Sequence, residues 1–204
     1  MANIFIISGP SGAGEDSIIE GLKKILPIER VITTTTRKMR PRESQKNPYY
    51  FISKKEFAKK IKKNKFLEYA KEYNDNYYGT THTEIKRVKK GKKIGIWKIE
   101  YKGVKNVKKI MPEIKSILIN APLDVMKNRI KRRDKATKEF IKKRMDYTKK
   151  WLKHKNIYSY EVINQEGNLK KAVNEVAEII KSNLDPTSPR CHSASRGGTK
   201  RLSN

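Results

Sequence analysis

Residues 3–19, NIFIISGPSGAGEDSII, join an apolar run, a glycine-rich turn and the start of an amphipathic segment. The apolar run at residues 3–8 is typical of a buried parallel strand. The segment after the glycines repeats apolar residues on one helical face, and Pro27 ends it. A strand, a glycine turn and a helix in this order predict a phosphate-binding loop, in which backbone N–H groups and the helix dipole hold an anion. A plain glycine turn is the alternative that this stretch alone leaves open.

Strand and helix patterns alternate along the rest of the chain. Further apolar segments are predicted as strands at residues 30–34, 93–100, 115–120 and 160–164. Alternating strands and helices favour an α/β fold in which helices flank a parallel sheet. After Leu184 the sequence is rich in Pro, Ser, Arg and Gly, so we expect a disordered tail at residues 185–204.

Two helix starts have the sequence of a capping box, in which a hydroxyl and a carboxylate cap each other's backbone N–H groups. The pairs are Ser53 with Glu56 and Thr81 with Glu84, and Gly91 is predicted to end the second helix. These signals place two helices between predicted strands, as the α/β alternation requires.

The chain carries a large excess of positive charge. Its 49 Lys and Arg residues outnumber 21 Asp and Glu residues, which gives a formal net charge of +28 over 204 residues. Such an excess can neutralise the phosphates of a polyanion. Most of the lysines fall on polar faces of predicted helices without interleaved aromatic residues, as at residues 54–65. We therefore interpret the charge mainly as solvated helix surface and expect no specific nucleic-acid partner.

The cysteine, histidine and hydropathy patterns exclude several classes of protein. The single cysteine, Cys191, excludes an internal disulfide, and 3 histidines without ligand spacing predict no metal site built by the protein alone. The longest purely apolar run, residues 4–7, is too short to span a membrane, and no signal-peptide pattern is evident. We expect a cytoplasmic protein without membrane contact that is a monomer or a homodimer.

Further motifs follow the glycine loop. TTTTRKMRPRE at residues 33–43 places two arginines three residues apart and is followed by NPYYF at residues 47–51. Two guanidinium groups held in this way can bind a phosphate bidentately. FLEY at residues 66–69 and NYYGT at residues 76–80 add a carboxylate, paired tyrosines and a Gly-Thr turn. Each of these motifs alone is also typical of structural packing.

In this order, the motifs resemble those of the guanylate kinase family over about residues 3–184. The resemblance implies a three-layer P-loop fold and a phosphoryl transfer from ATP, with Mg²⁺, to GMP. It also implies a core, a small GMP-binding subdomain and a helical lid within one domain, residues 1–184. The implied bounds are 1–32, 81–125 and 149–184 for the core, 33–80 for the subdomain and 126–148 for the lid.

The resemblance further implies which residues bind each substrate. For GMP, the implied phosphate ligands are Arg37, Arg40, Tyr49 and Tyr78, and the guanine site is Thr33, Glu68 and Thr80, with Glu100 in place of an Asp of the family. For ATP, the implied contacts are Gly9, Ser11, Gly12, Ala13, Gly14, Glu15 and Asp16 in the loop and Asn164 at the adenine edge. In the basic helices predicted at residues 123–133 and 137–154, Arg133 and Arg144 match the arginines that stabilise the transferring phosphoryl group. A carboxylate suits guanine because it accepts from both N1–H and the exocyclic amine.

The chain departs from the family pattern at the phosphate site. Glu15 and Asp16 stand where the family has a lysine, which neutralises the transferring phosphate, and a hydroxyl, which holds Mg²⁺. A carboxylate facing a phosphate is repelled by roughly 4 kcal/mol per close pair at an effective dielectric constant of about 20, unless a cation intervenes. Lys98, in the segment IWKIE, replaces an acidic residue of the family.

These departures together exchange charges between two positions: the loop has lost a cation and gained anions, and the neighbouring strand has lost an anion and gained a cation. In phosphate-loop folds the strand that ends at Lys98 lies beside the glycine loop. We therefore hypothesise that Lys98 reaches the phosphate site, or pairs with Glu15, and acts in catalysis. Asp16 would then coordinate Mg²⁺ as a hard oxygen ligand. The alternative is that the three side chains form only a structural ion pair in a weakened site.

Three functions remain open from the sequence. The first is a guanylate kinase, impaired or adapted by its loop, which the lid arginines favour. The second is a non-catalytic guanylate-kinase-like module that binds GMP or phosphorylated and acidic peptides, which the altered loop favours. The third is a nucleic-acid-associated protein that binds through its charge and its basic tail.

Overall fold

The computed structural model describes residues 3–41, 43–72, 75–134 and 137–184, without the side chains of residues 133 and 134. The predicted tail at residues 185–204 lies outside the described residues. The elements, in chain order, are β1 (Ile4–Ser8), α1 (Glu15–Lys23), β2 (Ile28–Val31), β3 (Thr34–Thr35), β4 (Ser44–Gln45), β5 (Pro48–Phe51), α2 (Lys54–Lys62), β6 (Phe66–Lys71), β7 (Tyr77–Thr81), α3 (His82–Lys90), β8 (Ile94–Lys98), α4 (Tyr101–Ile110), β9 (Lys115–Asn120), α5 (Leu123–Asp134), α6 (Lys138–Leu152), β10 (Tyr160–Ile163) and α7 (Leu169–Leu184). None of the described helices is long and apolar enough to cross a membrane.

The main sheet of the described chain consists of five parallel strands in the order β10-β9-β1-β8-β2. The central strand, β1, contributes to two apolar cores on opposite faces. Phe5 and Ile7 pack in one core with residues of α1 and α7, whereas Ile6 packs in the other with residues of α3 and α4. Helices therefore cover both faces of the sheet, which confirms the predicted three-layer α/β fold.

The pairing of β1 with β8 positions the phosphate loop. Ile7 lies opposite Lys98 in the parallel register, and the glycine loop begins directly after Ser8. The carboxyl ends of parallel strands open onto the same edge of the sheet. Lys98 therefore lies beside the glycine loop, as the sequence predicted.

A second, mixed sheet lies between residues 34 and 81, with the order β4-β5-β3-β7-β6. The prediction of one strand at residues 30–34 is wrong, because β2 ends at Val31 and β3 begins at Thr34 in the second sheet. The N–H group of Ile32 donates to the Glu84 carboxylate at 2.8 Å. This bond takes the place of a ladder bond, and the chain changes sheet at this point.

The two predicted capping boxes have different outcomes. Ser53 and Glu56 form both reciprocal bonds at the start of α2, which confirms the first. At the start of α3, Thr81 accepts a bond from the N–H group of Glu84, but the Glu84 carboxylate bonds elsewhere. Gly91 follows α3 as its C-terminal cap, as predicted.

The Glu84 carboxylate fastens α3 to the edge strand β2. It is 4% exposed and accepts bonds from the N–H group of Ile32 and from the guanidinium of Arg87, the latter at 2.8 Å. Arg87 also donates to Glu29 of β2 at 2.6 Å. A buried carboxylate with this many donors holds the end of β2 where the chain crosses to the second sheet.

Because Glu84 is buried and its loss would leave the N–H group of Ile32 without the carboxylate that accepts from it, we expect Glu84→Ala to lower the free energy of unfolding by about 2–4 kcal/mol. Urea denaturation measures this change. The matched control is Glu20→Ala, which removes an exposed carboxylate paired with Lys23 and is expected to change stability by no more than about 0.5 kcal/mol. Equal losses in the two variants would contradict the anchoring role.

Candidate active site

A cavity of about 220 Å³ lies between the glycine loop, the second sheet and α6. The predicted site residues that line it are Gly9, Ser11, Gly12, Glu15, Asp16, Thr33, Arg37, Arg40, Tyr49, Glu68, Tyr78, Lys98, Glu100 and Arg144. The other described members of the prediction lie outside this lining: Ala13, Gly14, Thr80 and Asn164. The side chain of Arg133 lies outside the described part of the structure. One cavity thus brings together most of the residues that the sequence motifs mark.

The glycine loop has the backbone form of an anion-binding turn. Gly12 and Gly14 have φ angles of +89° and +98°, in the left-handed region that favours glycine. A Cβ atom at Gly14 would overlap the side-chain nitrogen of Asn164, which donates to the carbonyl of Ala13 at 2.7 Å. Asn164 follows β10, so the last strand of the sheet helps to fix the loop. The helix α1 begins at Glu15 without a side-chain cap.

The first turn of α1 places its carboxylates next to two cations. The Nζ atom of Lys98 lies 2.6 Å from Oδ2 of Asp16, and Nη2 of Arg30 lies 3.1 Å from Oδ1. Partial desolvation of its carboxylate beside the loop would raise the pKa of Asp16, but Lys98 and Arg30 act in the opposite direction and lower it to about 2. Burial would lower the pKa of Lys98, but Tyr49 and the two carboxylates of the α1 first turn outweigh it and raise the pKa. Lys98 is therefore a protonated cation at the loop, where the sequence has no loop lysine.

The predicted GMP-phosphate ligands form a cluster around Arg37. Its guanidinium fork donates to both oxygens of Glu43, at 3.0 Å and 2.8 Å, and lies 5.4 Å from the ring centre of Tyr49. The rings of Tyr49 and Tyr78 contact each other at 5.9 Å between centroids. Glu43 also accepts a bond from the N–H group of Arg40 at 2.7 Å. The fork has the geometry that binds a two-oxygen anion, and in this structure it holds a carboxylate of its own chain.

The predicted guanine ligands lie where the second sheet meets the main sheet. Glu68 of β6 lies opposite Thr80 of β7 and is only 6% exposed. Burial, opposed by hydrogen bonds from Thr80, raises the pKa of Glu68 to about 7. Thr80 also accepts a bond from the indole of Trp97 at 2.9 Å. Within the described chain, the buried hydroxyl of Thr33 has no hydrogen-bond partner. This buried group of acceptors suits a ligand with several N–H donors.

The helix α6 contacts both sides of the cavity. Arg144 donates to the hydroxyl of Ser11 in the glycine loop at 2.9 Å. The hydroxyl of Tyr147 lies 2.6 Å from a carboxylate oxygen of Glu72 and 3.4 Å from one of Glu100. Burial and the charge of Glu72 raise the pKa of Glu100 above its usual range. The helix α6 therefore covers a group of buried carboxylates, two of which the hydroxyl of Tyr147 contacts.

Among the charged and hydroxyl-bearing residues at the site, three escaped the sequence motifs: Arg30, Glu72 and Tyr147. Glu72, one residue past the end of β6, continues the alternation of Glu68 and Ala70, so the period-two pattern of a strand could have identified it. Tyr147 follows Arg144 by three residues on the same helical face. Arg30 has no such signal, because only the pairing of β2 with β8 brings it near Lys98.

Comparisons with known proteins give the family of the chain. The family model "Guanylate kinase" matches residues 1–183. A guanylate kinase of Buchnera aphidicola subsp. Schizaphis graminum is 40% identical over 181 residues, which cover 87% of this chain and 86% of that protein. A guanylate kinase of Rickettsia prowazekii is 38% identical over 179 residues, which cover 87% of this chain and 89% of that protein.

A solved structure supports the fold assignment. The crystal structure of guanylate kinase from Anaplasma phagocytophilum superposes with a TM-score of 0.70. The match covers 92% of this chain and 88% of that chain, at 22% identity. At this identity, the likeness shows that the two chains share a fold.

We expect Glu68→Gln to stabilise the ligand-free protein at pH 8. The fold raises the pKa of Glu68 from 4.5 to about 7, so folding opposes loss of this proton, and stability falls as the pH rises between these two values. The amide has no charge to bury, so the expected gain at pH 8 is roughly 1–3 kcal/mol. Urea unfolding at pH 5 and at pH 8 measures it. A gain of the same size at both pH values would contradict a titrating Glu68, and the exposed Glu178→Gln serves as the control.

Proposed function

The chain belongs to the guanylate kinase family, and we propose that it transfers the γ-phosphoryl group of ATP to GMP, which gives ADP and GDP. One observation carries this proposal. A single cavity is lined by the glycine loop, which suits the phosphates of a donor, and by the arginine–tyrosine cluster, which suits the phosphate of an acceptor. Transfer between two bound phosphates requires positioning and charge stabilisation rather than a protein nucleophile.

GMP binding requires an exchange of partners at Arg37. The phosphate of GMP would replace the Glu43 carboxylate on the guanidinium fork. The ionised Glu68 would accept from N1–H and the exocyclic amine of guanine, which gives the bound base an acceptor that adenine cannot use. The remaining proposed GMP contacts are Arg40, Tyr49 and Tyr78 at the phosphate and Thr33, Thr80 and Glu100 at the base.

The donor side depends on cations that converge on the loop. Arg144 already contacts Ser11 from the lid helix, and Lys98 reaches the first turn of α1 from β8. We assign both, together with Arg133, to stabilisation of the transferring phosphoryl group. Lys98 supplies the charge that the loop sequence lacks, and Asn164 holds the loop at the adenine edge.

The residues of the loop fit the magnesium complex of ATP. Mg²⁺ usually keeps water and phosphate oxygens as ligands and takes only one or two carboxylates. Asp16, with 63% of its side chain exposed, can provide one such ligand. Within the described residues, no group of three or more His, Cys, Asp or Glu could hold a metal without the nucleotide. When bound, the ion neutralises charge on the donor phosphates.

We further assign the second sheet to the GMP-binding subdomain predicted at residues 33–80, and α6 to the lid predicted at residues 126–148. The substrates ATP and GMP are the partners that this assignment requires. The cytoplasmic location and the choice between a monomer and a homodimer stay predictions.

The second candidate is a non-catalytic module that binds GMP or phosphorylated peptides. The acidic first turn of α1 favours it, because Asp16 engages the ammonium of Lys98 at the position where a donor phosphate would bind. The same arrangement is the structural ion pair that the sequence left as an alternative. The two candidates differ in one measurable outcome, since a module binds GMP but releases no ADP in the presence of ATP.

We expect Lys98→Met to lower kcat for GMP-dependent ADP release by about 100-fold or more, because the transferring phosphoryl group loses its principal cation. A coupled assay with saturating ATP and GMP measures the rate. Lys181→Met removes a charge from an exposed ion pair on α7 and should leave the rate unchanged. A Lys98→Met enzyme as fast as the parent would remove Lys98 from the mechanism. A parent that binds GMP without releasing ADP would instead favour the binding module.

The double variant Glu15→Lys with Asp16→Ser restores the usual loop of the family. We expect it to lower activity while Lys98 is present, because the new lysine and Lys98 then repel each other at one phosphate site. Adding Lys98→Asp to this double variant should recover activity. The same coupled assay compares the parent, the double and the triple variant. A large gain in the double variant alone would mean that the natural loop is defective rather than adapted.

A further inference from the structure

The carboxylate of Asp16 bridges two cations that come from neighbouring strands. One oxygen faces Lys98 of β8 at 2.6 Å, and the other faces Arg30 of β2 at 3.1 Å. In the parallel register Arg30 lies opposite Ile96, two residues before Lys98, so both cations project from the same face of the sheet. The α1 helix packs on this face, because Ile96 belongs to the core that α1 helps to form.

Asp16 is paired with two cations, although one would balance its negative charge. A carboxylate with a single ion-pair partner is left without a counter-charge when that partner binds a ligand instead. With Arg30 on the opposite oxygen, Asp16 keeps a counter-charge while Lys98 transfers its bonds to an incoming phosphate. Without Arg30, the carboxylate would face the phosphates with only the proposed Mg²⁺ ion to offset its charge, and the remaining repulsion would weaken their binding.

We propose that Arg30 is a positioning residue for nucleoside triphosphate binding: it holds the Asp16 carboxylate so that Lys98 is free to pass from Asp16 to the donor phosphates. This inference rests on the proposed function, since it requires a triphosphate at the glycine loop. It differs from that function in assigning a role to a residue of β2 outside the loop, the cavity lining and the lid.

A purely structural role for Arg30 predicts different behaviour. Asp16 is 63% exposed at its side chain, and an ion pair with so exposed a partner contributes little to folding stability. The loss of Arg30 should therefore leave thermal stability nearly unchanged and act on nucleotide affinity instead. Because Arg30 acts only through the charge of Asp16, its loss should have no effect on affinity once that charge is removed.

The test measures binding of the magnesium complex of a non-hydrolysable ATP analogue by calorimetry, so no turnover is needed. The full chain is compared with Arg30→Gln, Arg30→Lys, Asp16→Asn and the double variant Arg30→Gln with Asp16→Asn. We expect Arg30→Gln to weaken binding about tenfold in the parent and less than about twofold in the Asp16→Asn background. Arg30→Lys should retain most of the affinity, and Lys181→Gln controls for the loss of one positive charge far from the cavity.

Each result supports or overturns the inference. A tenfold loss that disappears in the Asp16→Asn background supports it. An equal loss in both backgrounds, or no loss in either, overturns it and leaves the proposed function standing. A parent that fails to bind the analogue overturns the donor site and the inference with it. If Arg30→Gln lowers the melting temperature together with affinity, and Arg30→Lys does not restore affinity, Arg30 is structural and the inference is overturned.

Discussion

The parallel register of β1 with β8 is the constraint on which the candidate site depends. It sets Ile7 opposite Lys98, so that the glycine loop leaves one strand beside the last residue of the next. A shift by one residue would turn Lys98 to the other face of the sheet and away from the loop. The electrostatics of the phosphate site is therefore a consequence of strand pairing. A cation of β8 therefore lies beside a glycine loop that has no lysine of its own, because both reach the same edge.

The cavity also brings together several buried acidic groups, and the burial of a carboxylate opposes folding. Glu68, Glu72 and Glu100 all face the space between the second sheet and α6. Burial raises the pKa of Glu68 and of Glu100, which means that the ligand-free fold favours their protonated forms. Tyr147 of α6 contacts both Glu72 and Glu100, so the position of α6 and the charge of the cavity are physically coupled. Buried carboxylates of this kind are typical of functional sites, where a bound ligand supplies the hydrogen-bond donors that the protein does not.

The sequence predicted the layers of the fold better than it predicted the contacts within the site. Periodic apolar segments and the glycine loop were sufficient for the parallel sheet, because strand burial and helix faces are local patterns. The strand predicted at residues 30–34 failed because a distant carboxylate, Glu84, takes the N–H group of Ile32. The position of Lys98 could be inferred from the fold, but its bond to Asp16 and the presence of Arg30 could not. Those contacts depend on register and on side-chain reach, which no motif encodes.

The bond between Arg37 and Glu43 has a consequence for selectivity among anions. In the proposed function, the Glu43 carboxylate occupies the place on the Arg37 guanidinium that the phosphate would take, and because it belongs to the same chain its effective concentration there is high. A singly charged ion offers the guanidinium fork no more than Glu43 already provides. A phosphate dianion offers additional charge and a third oxygen for the neighbouring Arg40 and tyrosines. Glu43 is thus an internal competitor that excludes chloride or acetate from the Arg37 guanidinium and that a doubly charged group can displace.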